Sequence, residues 1–228
     1  MGNIMHNYFA FLAVLVVIVV ITIYRFYASN KRLNELASWA LSKGLLFNPG
    51  KDRFFDSKYS NFNCLQKGDS RYAYNIMTGT LAGQEFLGCD YHYATGSGKS
   101  REEHNISLVI VKSPILLEPL FIRPENFFDK FAELVGFNDI DFESAEFSKK
   151  FYVKSPDKKW AYDIIHPRMM EFLLASPMFS IQFDSLSVIV YRDTTFPPVE
   201  FEDAANLVNG IFERIPDYVI QNKKLRSV

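Results

Sequence analysis

An uninterrupted apolar stretch near the N-terminus constrains this chain more than any other feature. From Tyr8 to Tyr24 the sequence reads YFAFLAVLVVIVVITIY, with no charged residue and with Thr22 as its clearly polar side chain. A helix over this stretch is about 25 Å long, and flanking Arg25, Phe26 and Tyr27 extend it toward the roughly 30 Å of a bilayer core. Residues 8–24 therefore predict a transmembrane helix that contacts the lipid bilayer directly.

A cleaved signal peptide is the alternative interpretation of this stretch. It is disfavoured because no Lys or Arg precedes the apolar run and no small-x-small cleavage pattern follows it. The cations Arg25, Lys31 and Arg32 follow the run, whereas His6 and the amino terminus precede it. The positive-inside rule then predicts a single-pass protein of the cell membrane whose soluble domain lies in the cytoplasm.

Composition narrows the classes of function. Lys and Arg number 25 against 26 Asp and Glu, so the chain lacks the basic excess of an electrostatic nucleic-acid binder, and we expect no nucleic-acid partner. Hydrophobic residues make up 48% and charged residues 22%, which is typical of a folded domain. Cys64 and Cys89 are too few for a disulfide scaffold.

The rest of the chain predicts an α+β fold, with a mainly antiparallel sheet and packed helices after the transmembrane helix. Residues 71–112 show strand patterns with a turn near Gly79 to Gly83 and a hairpin loop at GSGKSREE, and MFSIQFD with SLSVIVYRD predicts a second hairpin. We expect residues 1–28 to form the tail and span, residues 29–220 one soluble domain, and residues 221–228 a basic tail.

Helical periodicity predicts four helices in the soluble part. The first follows Asn30 as N-cap and ends near Gly44. The second is ENFFDKFAELVG, from Glu125 to Gly136, and the third is DKKWAYDIIHPRMMEFLLAS, which Pro167 bends or interrupts. An amphipathic helix over 201–220 is the fourth. Between the first two, the aromatic-rich segment 48–70 is expected to be a loop or distorted strand that buries its aromatic side chains.

The segment ATGSGKS, residues 94–100, is similar to a phosphate-binding loop. That motif needs a glycine five residues before Gly98, where Tyr93 stands, and a helix after the Lys-Ser pair, where the sequence instead turns strongly β. The simpler interpretation is a hairpin loop in which Gly96 and Gly98 adopt positive φ angles. We therefore expect no nucleotide cofactor here.

Other candidate groups are scattered along the chain. Asp90, His92, His104 and Asp141 form the alternative hypothesis of an enzyme whose site assembles from distant residues, with the two histidines facing each other across the hairpin. Their spacing is weak for a metal site, and DIDFE, with Asp141 at its centre, is also explained as a charged edge segment. We expect no catalytic residue, metal or cofactor, and a binding protein rather than an enzyme.

Longer motifs in order along the chain carry a family resemblance. After the span come RLNELASWALSKGLLF, GTLAGQEFLGCDYHYATGSGKS and LFIRPENFFDKFAELVGFNDIDFESAEFSKKFYV. In this respect the chain resembles a family of uncharacterised bacterial proteins anchored by a single membrane helix. The resemblance implies a bacterial origin and one soluble domain, and it transfers no catalytic residue. The expected function is therefore to bind a protein or lipid partner at the membrane.

Overall fold

The structure, a computed structural model, describes residues 2–125 and 138–223. The predicted helix from Glu125 to Gly136 and most of the basic tail 221–228 lie outside the described residues. In chain order the elements are α1 (Gly2–Ser42), β1 (Leu46–Asn48), α2 (Phe55–Lys58), β2 (Asp69–Leu81), β3 (Gln84–Thr95), β4 (Glu102–Lys112), β5 (Leu120–Pro124), β6 (Asn138–Asp139), α3 (Ala145–Lys150), β7 (Phe151–Ser155), α4 (Lys158–Ile164), α5 (Pro167–Ala175), β8 (Ser180–Phe183), β9 (Ser187–Arg192), α6 (Pro198–Phe212) and α7 (Asp217–Lys223), with 3-10 turns at Asn63–Gln66 and Gly98–Ser100.

Helix α1 is one continuous helix of 41 residues. The prediction of two helices separated by an N-cap at Asn30 is wrong, because the intervening sequence RFYASN contains neither Gly nor Pro to interrupt the hydrogen-bond ladder. Its apolar part is long enough to cross a membrane and is exposed, whereas Leu36 and Ala40 near its C-terminal end are fully buried. Gly44 follows the helix with φ +70°, as the sequence predicts for its C-terminus.

The fold is α+β, as predicted. Nine strands of the described segments form one sheet in the order β1-β2-β3-β4-β9-β8-β5-β7-β6, and every neighbouring pair is antiparallel. The expected turn between β2 and β3 lies at Ala82 and Gly83, whose φ angles of 51° and 78° suit a two-residue hairpin turn. Both predicted hairpins, β3–β4 and β8–β9, are confirmed.

Each face of the sheet buries its own apolar cluster, because side chains alternate along a strand. Helices α1, α4, α5, α6 and α7 cover one face, where Trp160 and Phe201 pack in the same cluster as Val109. The other face is covered by the segment before β2, whose Phe55 and Phe62 pack in a cluster with the central strands. The prediction that this segment buries aromatic side chains is confirmed for Phe55 and Phe62, whereas Phe54 is exposed. The expected loop or distorted strand is wrong in part, because the segment contains the short helix α2 and a 3-10 turn.

Proline sets two helix boundaries in the second half of the chain. Pro167 separates α4 from α5, as predicted, and stands at the first turn of α5, where its missing N–H costs no hydrogen bond. The prediction of one amphipathic helix over 201–220 is wrong. The chain forms α6 and α7 instead, because Pro216 ends the helical run before α7 begins at Asp217.

Candidate functional site

A buried ion pair joins the long helix to the middle of the sheet. Asp90 on β3 is fully buried, and the guanidinium of Arg32 on α1 binds its carboxylate in a bidentate manner. Nε of Arg32 donates to Oδ2 at 2.8 Å and Nη2 donates to Oδ1 at 2.5 Å. Two parallel charge-assisted hydrogen bonds fix both the distance and the rotation of α1 relative to the strand.

Neighbouring groups complete the hydrogen bonding of this pair. The amide of Asn75 donates to Oδ2 of Asp90 at 2.9 Å, and the hydroxyl of Ser107 donates to Oδ1 at 2.6 Å. Arg32 also donates from Nη1 to the carbonyl of Phe196 at 2.9 Å. A buried carboxylate without partners is strongly unfavourable, so this full set of partners is what permits Asp90 to be inside. We call Arg32, Asn75, Asp90 and Ser107 the junction cluster.

An irregularity in β2 brings Asn75 to the cluster. The register between β2 and β3 shifts between Tyr74 and Met77, and Asn75 within the shift has φ 51°. Asn tolerates this left-handed backbone conformation better than most residues, and a bulge redirects a side chain relative to the regular alternation. The bulge thereby turns the Asn75 amide onto the carboxylate of Asp90.

Sequence reasoning missed the junction cluster, although a signal was present. Arg32, Leu36 and Ala40 recur at intervals of four and share one face of α1, and the latter two are buried. Asp90 shares its strand face with buried Phe86. A cation on an apolar helix face and an acid on an apolar strand face predict each other as partners.

The structure does not bring the four residues of the enzyme hypothesis together. His92 pairs in register with Asn105, and His104 pairs with Tyr93, so the two histidines lie on opposite faces of the hairpin. The prediction that the two histidines face each other is wrong, because the residue opposite His92 is Asn105, one position along β4 from His104. Asp141 follows β6, six strand positions from β3 and thus roughly 29 Å away along a flat sheet.

Each histidine has local partners instead. The Nε2 atom of His92 lies 2.8 Å from a carboxylate oxygen of Glu103, and its ring stacks on Tyr72 with centroids 4.6 Å apart. The Nε2 atom of His104 lies 2.7 Å from the hydroxyl of Thr95. Within the described segments, no group of three or more His, Cys, Asp or Glu side chains has the proximity of a metal site.

The loop with the Gly-Ser-Gly-Lys-Ser motif is a hairpin loop, as predicted. One 3-10 turn, Gly98–Ser100, precedes strand β4, so the helix that a phosphate-binding loop requires does not follow the lysine. Gly96 has φ +74° and Gly98 has φ +55°. Asp139, the first residue of the DIDFE segment, belongs to β6, which is the last strand of the sheet within the described residues, in agreement with the expected edge position.

Two further features of the molecule bear on a site, the Cys89 thiol and a groove on the sheet. Burial raises the pKa of the Cys89 thiol well above its ordinary value, which disfavours the reactive thiolate at neutral pH. An open groove of about 540 Å³ beside the ends of β3 and β4 is lined by Leu87 and Ile110 among others. Glu85 and Lys112 at this groove bind each other, with Nζ and Oε2 3.0 Å apart.

The comparisons with known proteins bear on the fold. No protein-family model and no curated protein matches the sequence. The chain is similar in structure to the mycobacterial trehalose monomycolate transport factor A, TtfA, with a TM-score of 0.61 and 12% sequence identity over 80% of this chain and 94% of that one. At this identity the likeness shows a shared α+β fold. The resemblance to a bacterial membrane-anchored family stays a prediction.

Proposed function

We propose that this protein is a single-pass membrane protein whose α+β domain is a non-catalytic binding module for a protein or lipid partner, in a process that handles membrane lipids. The continuity of α1 is the observation that carries the proposal. The same helix contains the exposed apolar stretch, the partly buried Arg32 and the fully buried Leu36 and Ala40. A helix that spans a bilayer over residues 8–24 thus holds the domain directly at the membrane surface.

The link to lipids comes from the structural neighbour. TtfA is a trehalose monomycolate transport factor, and most of its chain shares the fold of this one. The opposite faces of His92 and His104 and the distance of Asp141 from β3 support a binding role over the enzyme alternative.

Complementation tests the function. In cells of the encoding organism that lack the chain, we expect an altered distribution of lipids between membrane compartments, which the full chain restores. A variant carrying both His92→Ala and His104→Ala should restore it equally, and so should a chain whose residues 8–24 are exchanged for an unrelated single span. An undisturbed lipid distribution without the chain, or a loss of rescue in the folded histidine variant, would contradict the proposal.

We further propose that the domain lies in the cytoplasm, because Arg25 and Lys31 follow the apolar stretch. Protease treatment of spheroplasts should leave the domain intact, whereas treatment of inside-out vesicles should digest it. The opposite pattern would place the domain on the outer side, where envelope components would be its partners. A protein of known orientation in the same membrane serves as the control for sealed vesicles.

A further inference from the structure

The tip of the β3–β4 hairpin points back along α1 toward the apolar stretch. We define the hairpin tip as residues 96–101. Strand β4 begins at Glu102, but β9 pairs with it only from Ser107 onward, so the hairpin projects beyond its neighbour at this end. Every residue of the tip is exposed.

Contacts of α1 with the sheet give the direction of this projection. Arg32 lies at Asp90, in the middle of β3. Further from the apolar stretch, after α1 has ended, Leu45 lies beside Gly79, which pairs with Phe86 near the start of β3. Moving along α1 away from the apolar stretch therefore corresponds to moving along β3 away from the hairpin tip.

The positions of these contacts give the inclination of α1 to the strand. From Asp90 back to Phe86, β3 advances about 13 Å at about 3.3 Å per residue. Gly79 lies on β2, one strand to the side of β3, so the path of α1 also moves sideways by about 4.8 Å between the two contacts. The path of α1 across the sheet is therefore inclined at roughly 20° to β3.

The same arithmetic places the tip relative to the membrane. Thr95, the last residue of β3, lies about 17 Å beyond Asp90 along the strand, which is about 16 Å when projected onto the path of α1. Arg25, the first charged residue after the apolar stretch, lies about 10 Å from Arg32 along that path. The hairpin tip thus reaches the level at which the apolar stretch ends.

The chemistry of the tip suits lipid headgroups. Lys99 is exposed and has no ion pair among the described residues, whereas Arg101 binds Asp69 and Glu103. The tip carries no large apolar side chain that would insert among lipid tails, and its glycines and serines permit a close approach to a polar surface. One free ammonium group on a small polar loop matches the phosphate of a lipid headgroup.

We propose that the hairpin tip rests on the bilayer surface, with Lys99 against the phosphate groups of anionic lipids. This inference deepens the proposed function and rests on its membrane span. It gives the Gly-Ser-Gly-Lys-Ser loop a role toward lipid phosphate in place of nucleotide phosphate. Together, α1 and the hairpin tip provide two points of membrane contact, which fix the tilt of the domain.

Fluorescence quenching on the full chain tests the contact. Single cysteines at Ser97 in the tip, at Ser29 on α1 and at Ser185 in the turn between β8 and β9 are labelled with an environment-sensitive dye. The native cysteines are buried, and the unsubstituted chain measures their background labelling. Ser185 is the matched control, since its turn is exposed and lies at the opposite end of the sheet. Each chain is placed in nanodiscs that contain a phospholipid with a spin label on its headgroup.

The three positions separate the two proposals. We expect strong quenching at Ser29 and Ser97 and none at Ser185. Quenching at Ser29 alone would overturn the hairpin contact and leave the membrane span standing. The absence of quenching at both Ser29 and Ser97 would overturn the span and the hairpin contact together.

Charge substitution tests the part played by the lysine. In nanodiscs with anionic lipid, Lys99→Glu should reduce quenching at Ser97 by about two-fold or more, since one cation is replaced by an anion next to the charged surface. Lys112→Glu at the opposite end of β4 is the matched control and should leave it unchanged. Equal quenching in both variants would overturn the lipid phosphate as the partner of Lys99, and equal quenching in purely zwitterionic nanodiscs would overturn the assignment to anionic lipids.

Discussion

Charged groups on β3 and on its neighbour β4 lie in two different environments. In its middle, Asp90 is sealed beneath α1 and every partner in the junction cluster is defined by hydrogen bonds. Toward the hairpin tip, Glu103 on the neighbouring strand is half exposed and binds both His92 and Arg101. The junction cluster positions α1. Glu103, His92 and Arg101 form a second group, which we call the exposed cluster and which is solvated and replaceable. Burial, rather than residue type, decides which of them the fold depends on.

The largest expected effect is that of Asp90→Ala. Removing the carboxylate leaves the Arg32 guanidinium largely buried without its counter-charge, which should lower the free energy of unfolding by about 3–5 kcal/mol. Chemical denaturation of the full chain in detergent measures it, with tryptophan fluorescence as the probe, because Trp39 packs against Phe201 5.9 Å away and Trp160 is buried in the same core. A loss below about 1 kcal/mol would show that the cluster does not hold α1 in place.

The double variant Arg32→Met with Asp90→Leu is the control for that experiment. Apolar side chains of similar size remove both charges at once, so no buried charge is left without a partner. We expect the double variant to be more stable than Asp90→Ala alone. If the two lose equal stability, shape rather than charge pairing explains the effect.

A smaller loss is expected for Gly88→Ala, two residues from Asp90. A Cβ atom at Gly88 would lie 2.7 Å from the ring of Phe86 and 2.9 Å from that of Phe201, so the packing between β3 and α6 must shift. Overpacking of this kind costs about 1–3 kcal/mol of unfolding free energy. Gly50→Ala, where the nearest atom is an exposed Asn48 side-chain oxygen, is the matched glycine control. Equal losses in both variants would contradict tight packing at Gly88.

The exposed cluster should respond far less. Glu103→Gln keeps the size of the side chain and removes its charge, and since half of this side chain is in water, we expect a loss below about 1 kcal/mol. The difference from Asp90→Ala in the same denaturation assay measures the contrast between the two clusters. A loss as large as that of Asp90→Ala would mean that the hairpin end also depends on its ion pairs.

The smallest effect is expected in acid, at a surface pair outside both clusters. A hydrogen bond from Lys58 lowers the pKa of Asp52 below its ordinary value of 3.8. Because the folded pKa is the lower one, the stabilisation is complete above the unfolded pKa and disappears as the pH falls through the folded pKa. Asp52→Asn should therefore lose less stability than the parent chain between pH 6 and pH 3. An identical pH dependence would show that the pair contributes nothing.

Much of the fold follows from local patterns. Apolar periodicity in the strands, Ala82-Gly83 at a hairpin turn and Pro167 between two helices each act over a few residues, so the sequence alone predicted them. Two boundaries were predicted wrongly. Asn30 is a good N-cap only where a helix begins, and the preceding residues already extend the helix past it. Pro216 ends a helix that amphipathic spacing alone would continue.

The site was less predictable, because its members are far apart in the chain. Arg32 and Asp90 are separated by 58 positions, and only the docking of α1 on the sheet makes them partners. The flanking charge of Arg32 was interpreted as a topology signal and Asp90 as a candidate catalytic acid. Each interpretation considered one residue at a time, whereas in the structure each of the two residues is the partner of the other.

The sequence by itself determined the apolar helix, the α+β class and the hairpin nature of the Gly-Ser-Gly-Lys-Ser loop. These depend on composition and on periodicity within single elements. Only the tertiary structure decided that α1 continues into the core, that His92 and His104 lie on opposite faces, and that the hairpin tip points toward the apolar stretch. Those facts depend on strand register and on the angle between helix and sheet, which long-range packing sets and no local pattern encodes.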